Sequence, residues 1–161
     1  MKKLILIRHA KSSWKYNVDD RERPLKKRGF RDAELVSLAF KNRSILPDII
    51  FSSPANRALS TCKIFINNVN FREIPLFIED ELYDFSGQNV INFLKHLDDS
   101  YEKVMIFGHN HAFTSICNIF GDKYIDNLPT CGLVVINFDD DKWRDINNGM
   151  TEFTIFPRDL K

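Results

Sequence analysis

Four short apolar runs divide this chain, at residues 4–7, 49–51, 104–107 and 133–138. Each is too short for a buried helix and predicts a strand covered on both faces. Between them the apolar period lengthens to that of a helix. Leu35, Leu38 and Ala39 recur at i, i+3 and i+4, widened by Ala33, Val36 and Phe40, and predict a helix ending near Phe40. Ser53-Pro54 predicts a helix start, with Ser as cap and Pro in the first helical position. That helix would run to about Asn67 and bury Ala58, Thr61, Cys62 and Phe65. Val90, Ile91, Phe93, Leu94 and Leu97 mark a third helix, and Phe113, Ile116, Cys117 and Phe120 a fourth. Residues 71–78 contain Pro75 and predict a weak edge strand. Residues 143–146 and 150–156 predict antiparallel additions around an Asn148-Gly149 turn. Strands alternating with helices predict an α/β fold. It has three layers, a mostly parallel central sheet flanked by helices, and antiparallel C-terminal strands. No repeat or linker interrupts residues 1–161, which read as one domain.

Composition adds exclusions. The chain is 43% hydrophobic with 14 Phe, enough for a sizeable core. Its net charge of +1 gives no reason to expect nucleic acid or an anionic membrane as partner. No apolar run reaches the length of a membrane span. The first residues open like a signal peptide, but Arg8-His9 cuts the apolar part short, so the expected location is cytoplasmic. Cys62, Cys117 and Cys131 are an odd number and read as small buried thiols, not a disulfide framework.

The polar residues that end the strands carry the chemistry. The first strand ends in Arg8-His9. The second ends in Ser52-Ser53-Pro54, with Arg57 in the first turn of the following helix. The third ends in Gly108-His109-Asn110. In a parallel sheet these junctions share one edge, where ligands collect. A cation in a first helical turn opposes the helix dipole by about 0.3–1 kcal/mol, which an anion in front of that turn would offset. Arg offers a planar fork for phosphate oxygens. A neutral His can attack phosphorus, and a second His can donate to an oxygen as charge builds up. The set suits phosphoryl transfer without a metal or other cofactor.

These motifs resemble the histidine phosphatase superfamily, which includes the phosphoglycerate mutases. Residues 4–10 are similar to its Arg-His-Gly opening, with Ala10 in place of the Gly. Residues 52–61 are similar to its Ser-Ser-Pro-x-x-Arg-Ala-x-x-Thr, and residues 107–110 to its Gly-His-Asn. Arg23-Pro24-Leu25 with Gly29, and Leu128-Pro129-Thr130, resemble the small SixA-type branch of phosphohistidine phosphatases. The resemblance implies that His9 is a nucleophile that becomes phosphorylated. Arg8, Arg57 and His109 would hold the phosphoryl oxygens, and Arg23 would join them. Read without the resemblance, Arg23 is one more member of a solvated basic run with Arg21, Lys26, Lys27 and Arg28. In the larger relatives a Glu acts as general acid. The matching place here reads Leu82-Tyr83-Asp84, so Asp84 is the candidate, with Glu81 as its neighbour. As a plain loop residue, Asp84 would only precede a helix.

The implied activity is metal-independent dephosphorylation, of protein phosphohistidine or of a small phosphorylated metabolite. A phosphate-binding module without turnover is the non-enzymatic alternative. A cysteine phosphatase would need an Arg six residues after a Cys, and Asn68, Lys123 and Asn137 stand there instead. His109-Asn110-His111 as part of a metal site lacks carboxylates at ligand spacing.

Overall fold

A computed structural model describes residues 1–161. Six strands form one sheet in the order β3-β2-β4-β1-β5-β6. They are β1 (Lys2–Arg8), β2 (Ile49–Ser52), β3 (Leu76–Ile78), β4 (Lys103–Gly108), β5 (Leu133–Phe138) and β6 (Met150–Ile155). β1 pairs in parallel with β4, β4 with β2 and β2 with β3, while β5 and β6 add antiparallel to their neighbours. The four helices are α1 (Lys27–Lys41), α2 (Asn56–Val69), α3 (Gln88–Lys95) and α4 (Ala112–Phe120).

The unbroken apolar character of the strands follows from this layering. Leu4, Leu6, Phe51, Val104 and Ile106 join one core with residues of α3 and α4. Their neighbours Ile5, Ile7, Ile50, Met105 and Phe107 point the other way, into a second core with residues of α1 and α2. Alternate side chains of a strand face opposite sides, so covering both faces requires apolar residues at every position.

Three local expectations are corrected. In α1 the buried residues are Gly29, Asp32, Ala33, Val36, Ser37 and Phe40, while Leu35 and Leu38 are exposed. Gly29 sets the face, because the helix start lies against the segment after β1: a Cβ on Gly29 would lie 2.2 Å from the Lys11 carbonyl oxygen. Residues 143–145 form a 3-10 turn, not a strand. Trp143 is fully buried there, with its indole N–H donating to the Tyr101 carbonyl at 2.8 Å. Finally, α2 starts at Asn56 after Ala55, because Ser53 is engaged elsewhere, and it ends at Val69 on a left-handed Asn70.

Candidate active site

The ends of β1, β2 and β4 meet at one sheet edge, and the backbone there is stitched beyond the strands. His9 N–H donates to the Gly108 carbonyl at 3.0 Å, Cys131 N–H to the His9 carbonyl at 3.0 Å, and Arg8 N–H to the Gly132 carbonyl at 3.1 Å. Thr61 of α2 closes the junction, accepting the Ala10 N–H at 3.0 Å and donating to the Arg57 carbonyl at 2.8 Å. His9 and Arg8 line a pocket of about 290 Å³ with Arg23, Arg57, Asp20 and Phe85 among its walls. His109 lies beneath, fully buried, its ring 5.3 Å from that of His9 and packed by the rings of Tyr83 and Phe85.

Each of these side chains is held at one end. The His9 Nδ1 lies 2.8 Å from the Ala10 carbonyl, an acceptor only, so Nδ1 carries the proton and Nε2 keeps a free lone pair. Burial, reinforced by the charges of Arg57, Arg8 and Arg23, lowers the His9 pKa to about 3, so the imidazole is neutral. His109 Nε2 is 2.8 Å from the Ser53 hydroxyl, and that oxygen also accepts the Ala55 N–H at 3.2 Å. The Ser53 hydroxyl has no acceptor other than Nε2, so its hydrogen points there and Nδ1 is the N–H of His109. Burial, with His9 and Arg57 as further causes, lowers the pKa of His109 to about 2. Arg8 donates through Nη1 to the Leu128 carbonyl at 2.7 Å. Arg57, 1% exposed, donates to the Asp20 carbonyl at 2.6 Å and to its carboxylate at 2.9 Å.

What these anchors leave over is informative. Six buried side-chain nitrogen or oxygen atoms lack a hydrogen-bond partner, and three of them are here: Arg8 Nε, Arg57 Nε and His109 Nδ1. An unmet buried donor costs about 1–3 kcal/mol. Three such donors beside one neutral, lone-pair-bearing imidazole suit an anion.

Arg23 is buried at 6% exposure, unlike Arg21, Lys26, Lys27 and Arg28. Its guanidinium stacks 3.5 Å over the Trp14 ring and donates to the Ser12 hydroxyl at 2.8 Å and to Asp20 at 3.2 Å. Asp84 is not brought to the pocket. Its carboxylate accepts the N–H groups of Ser86, Gly87, Asn89 and Val90 at 3.0–3.2 Å, capping α3. The sequence position that resembles a general acid is thus spent on a helix end. Asp84→Ala is expected to lower stability by about 1–2 kcal/mol while leaving kcat near wild type, measured by urea unfolding and steady-state rates. Glu81 is exposed in the turn Asp80–Leu82, and His111 is exposed. No group of three or more His, Cys, Asp or Glu is arranged to hold a metal ion.

Three participants escaped the sequence reading: Asp20, Ser53 as the holder of His109, and Tyr83, whose hydroxyl donates to Asp20. The only local signal was the i, i+3 spacing of Asp20 and Arg23.

The family model for the histidine phosphatase superfamily (branch 1) matches residues 4–89. An uncharacterised chloroplastic protein of Arabidopsis thaliana is 28% identical over 155 residues, covering 89% of this chain and 70% of that one. A structure from Agrobacterium tumefaciens, assigned as phosphohistidine phosphatase SixA, superimposes with a TM-score of 0.82 at 24% identity, over 97% of this chain and 98% of that one. The protein histidine phosphatase SixA complexed with tungstate gives 0.83 at 18%, over 99% of both chains. The chain belongs to the histidine phosphatase superfamily.

Proposed function

We propose that this protein dephosphorylates phosphohistidine on proteins through a phosphorylated His9. The observation that carries the reading is the set of three unpartnered buried donors around His9, which suits the oxygens of one phosphoryl group. In the first half-reaction the Nε2 lone pair attacks phosphorus and the leaving group departs with its electron pair. In the second, water attacks the phosphohistidine and the bond pair returns to Nε2. Arg8, Arg57, Arg23 and the His109 N–H hold the oxygens as charge develops. The tungstate complex of a SixA with the same fold supports a seat for a tetrahedral oxyanion.

A protein-borne substrate is supported by the rim. Trp14 and Phe85 line the pocket while 76% and 48% exposed, which leaves aromatic surface for a ring carried on a partner. The three cysteines are free and buried, and no helix is long and apolar enough to cross a membrane. Free thiols fit a reducing compartment such as the cytoplasm.

The test compares turnover of a phosphohistidine protein with a panel of phosphate monoesters, alongside acid-labile phosphate on His9 after rapid mixing. Faster turnover of the phosphohistidine protein, persisting in EDTA, is expected. Preference for a monoester would overturn the protein substrate, and absence of phosphate on His9 would overturn the nucleophile.

A further inference from the structure

The pocket is occupied by part of its own chain. The segment 13–24 is pinned at its base, where Ser12 and Leu25 form an antiparallel bridge and Lys26 N–H donates to the Lys11 carbonyl at 2.9 Å. Between those ends residues 14–22 are exposed, as in a surface loop tied at its neck. From it Asp20 reaches inward, in the 3-10 turn Asp20–Glu22. Its carboxylate oxygens meet Arg57 Nη2 at 2.9 Å, Arg23 Nε at 3.2 Å and the Tyr83 hydroxyl. Arg57 and Arg23 are the guanidiniums assigned above to the phosphoryl oxygens. With Asp20 in place, Arg57 is closed off, and a phosphoryl group has to displace the carboxylate to bind there.

Asp20 is also the only carboxylate among the residues lining the pocket. With Asp84 committed to α3, the reaction has no other carboxyl at hand to exchange protons. We propose that Asp20 is the acid–base residue of this site, released for that task when the phosphoryl group takes its place on Arg57 and Arg23. The proposal rests on the phosphatase reading above.

In the free enzyme Asp20 is a poor acid. Partial burial raises its pKa, but the hydrogen bonds from Tyr83, Arg57 and Arg23 and the Arg57 charge outweigh this and bring it down to about 2. No other cation of its turn compensates, since Arg21 points to Asp80 at 4.0 Å. An incoming phosphate dianion removes those partners and sets a like charge beside the carboxylate, which raises its pKa. The displaced carboxylate then takes a proton from solvent. It gives that proton to the leaving atom as the bond from phosphorus breaks and the electron pair stays with that atom. As a carboxylate it next accepts a proton from the water whose oxygen attacks phosphorus, while the P–Nε2 pair returns to His9. Orthophosphate leaves, Asp20 docks again on Arg57, and its proton returns to solvent.

The test uses Asp20→Asn and Asp20→Ala with two readouts. The first is calorimetric binding of tungstate in buffers of different ionisation enthalpy. Both variants are expected to bind tungstate at least tenfold tighter than wild type, and proton uptake is expected in wild type alone. Unchanged affinity, or uptake that persists in the variants, would overturn the displacement. The second is rapid-quench kinetics in alkaline detergent, which preserves phosphohistidine, with p-nitrophenyl phosphate, whose leaving group needs no acid. Asp20→Asn is expected to phosphorylate His9 at near the wild-type rate and to hydrolyse it 10²–10⁴-fold more slowly, so phosphoenzyme accumulates. Hydrolysis at the wild-type rate would overturn the acid–base role. If wild type itself forms no phosphoenzyme, the phosphatase reading fails and the acid–base role with it, while the tungstate result still decides the displacement.

Discussion

Replacing His9 with alanine is expected to lower kcat on any phosphorylated substrate by a factor on the order of 10⁴–10⁶, the scale seen when a covalent nucleophile is removed. The argument is local. The Ala10 carbonyl fixes the proton on Nδ1, and the buried ring stays neutral, so the Nε2 lone pair is available without a helper base. Nothing else in the pocket combines a free lone pair with that position: Arg8, Arg23 and Arg57 are guanidiniums, the Asp20 carboxylate is held by Arg57 and Arg23, and the His109 ring is tied to Ser53. The fold should survive the change, since β1 is held by its backbone ladder. Circular dichroism and the thermal midpoint check this beside the steady-state rates. A variant that folds and retains a tenth of wild-type activity would remove His9 from the role of nucleophile.

The second large effect is on stability. Between pH 7 and pH 5 the free energy of unfolding is expected to fall by about 4 kcal/mol, from the two buried histidines alone. Both have folded-state pKa values pushed down, to about 3 for His9 and about 2 for His109, from an ordinary value near 6.5. Above pH 6.5 each ring is neutral folded or unfolded, and no penalty arises. Below it the unfolded chain takes up protons that the folded chain refuses, and stability drains away by up to about 1.4 kcal/mol per histidine per pH unit until the folded values are reached. Urea titrations across this range measure the slope, and His9→Gln is expected to halve it. A flat profile from pH 7 to pH 5 would mean that the imidazoles are hydrated enough to charge in place.

Much of the architecture was legible because burial on both faces leaves no alternative to unbroken apolar strands, as at Leu4 to Ile7. The junction residues were legible for the same reason: parallel strands deliver their C-terminal ends to one edge, and Arg8, Arg57 and His109 follow. The face of α1 was not, because hydrophobicity favours Leu35 and Leu38 while the close contact at the Lys11 carbonyl requires Gly29 on the inner face, with Ala33, Val36 and Phe40 following at helical spacing. Trp143 was misassigned because an apolar residue near a sheet suggests a strand, yet β5 already has β1 and β6 on its two sides. The parts of the site that were missed depend on partners remote in sequence. Asp20 meets Arg57 across 37 positions and Ser53 meets His109 across 56, and neither pairing leaves a local pattern. Asp84 misled in the opposite way, since a carboxylate ahead of a helix serves its N–H groups as readily as a substrate.

The stitching of Arg8 and His9 into the sheet contrasts with the loop that carries Trp14, Asp20 and Arg23. One half of the pocket inherits the rigidity of six strands, and the other hangs from a neck of two residue pairs. Changes at the exposed loop positions around Asp20 and Arg23 can therefore redirect whom the enzyme serves without disturbing the nucleophile. Chains built this way can diversify their clientele by rewriting the loop around those two residues, while His9 stays in the hands of the sheet.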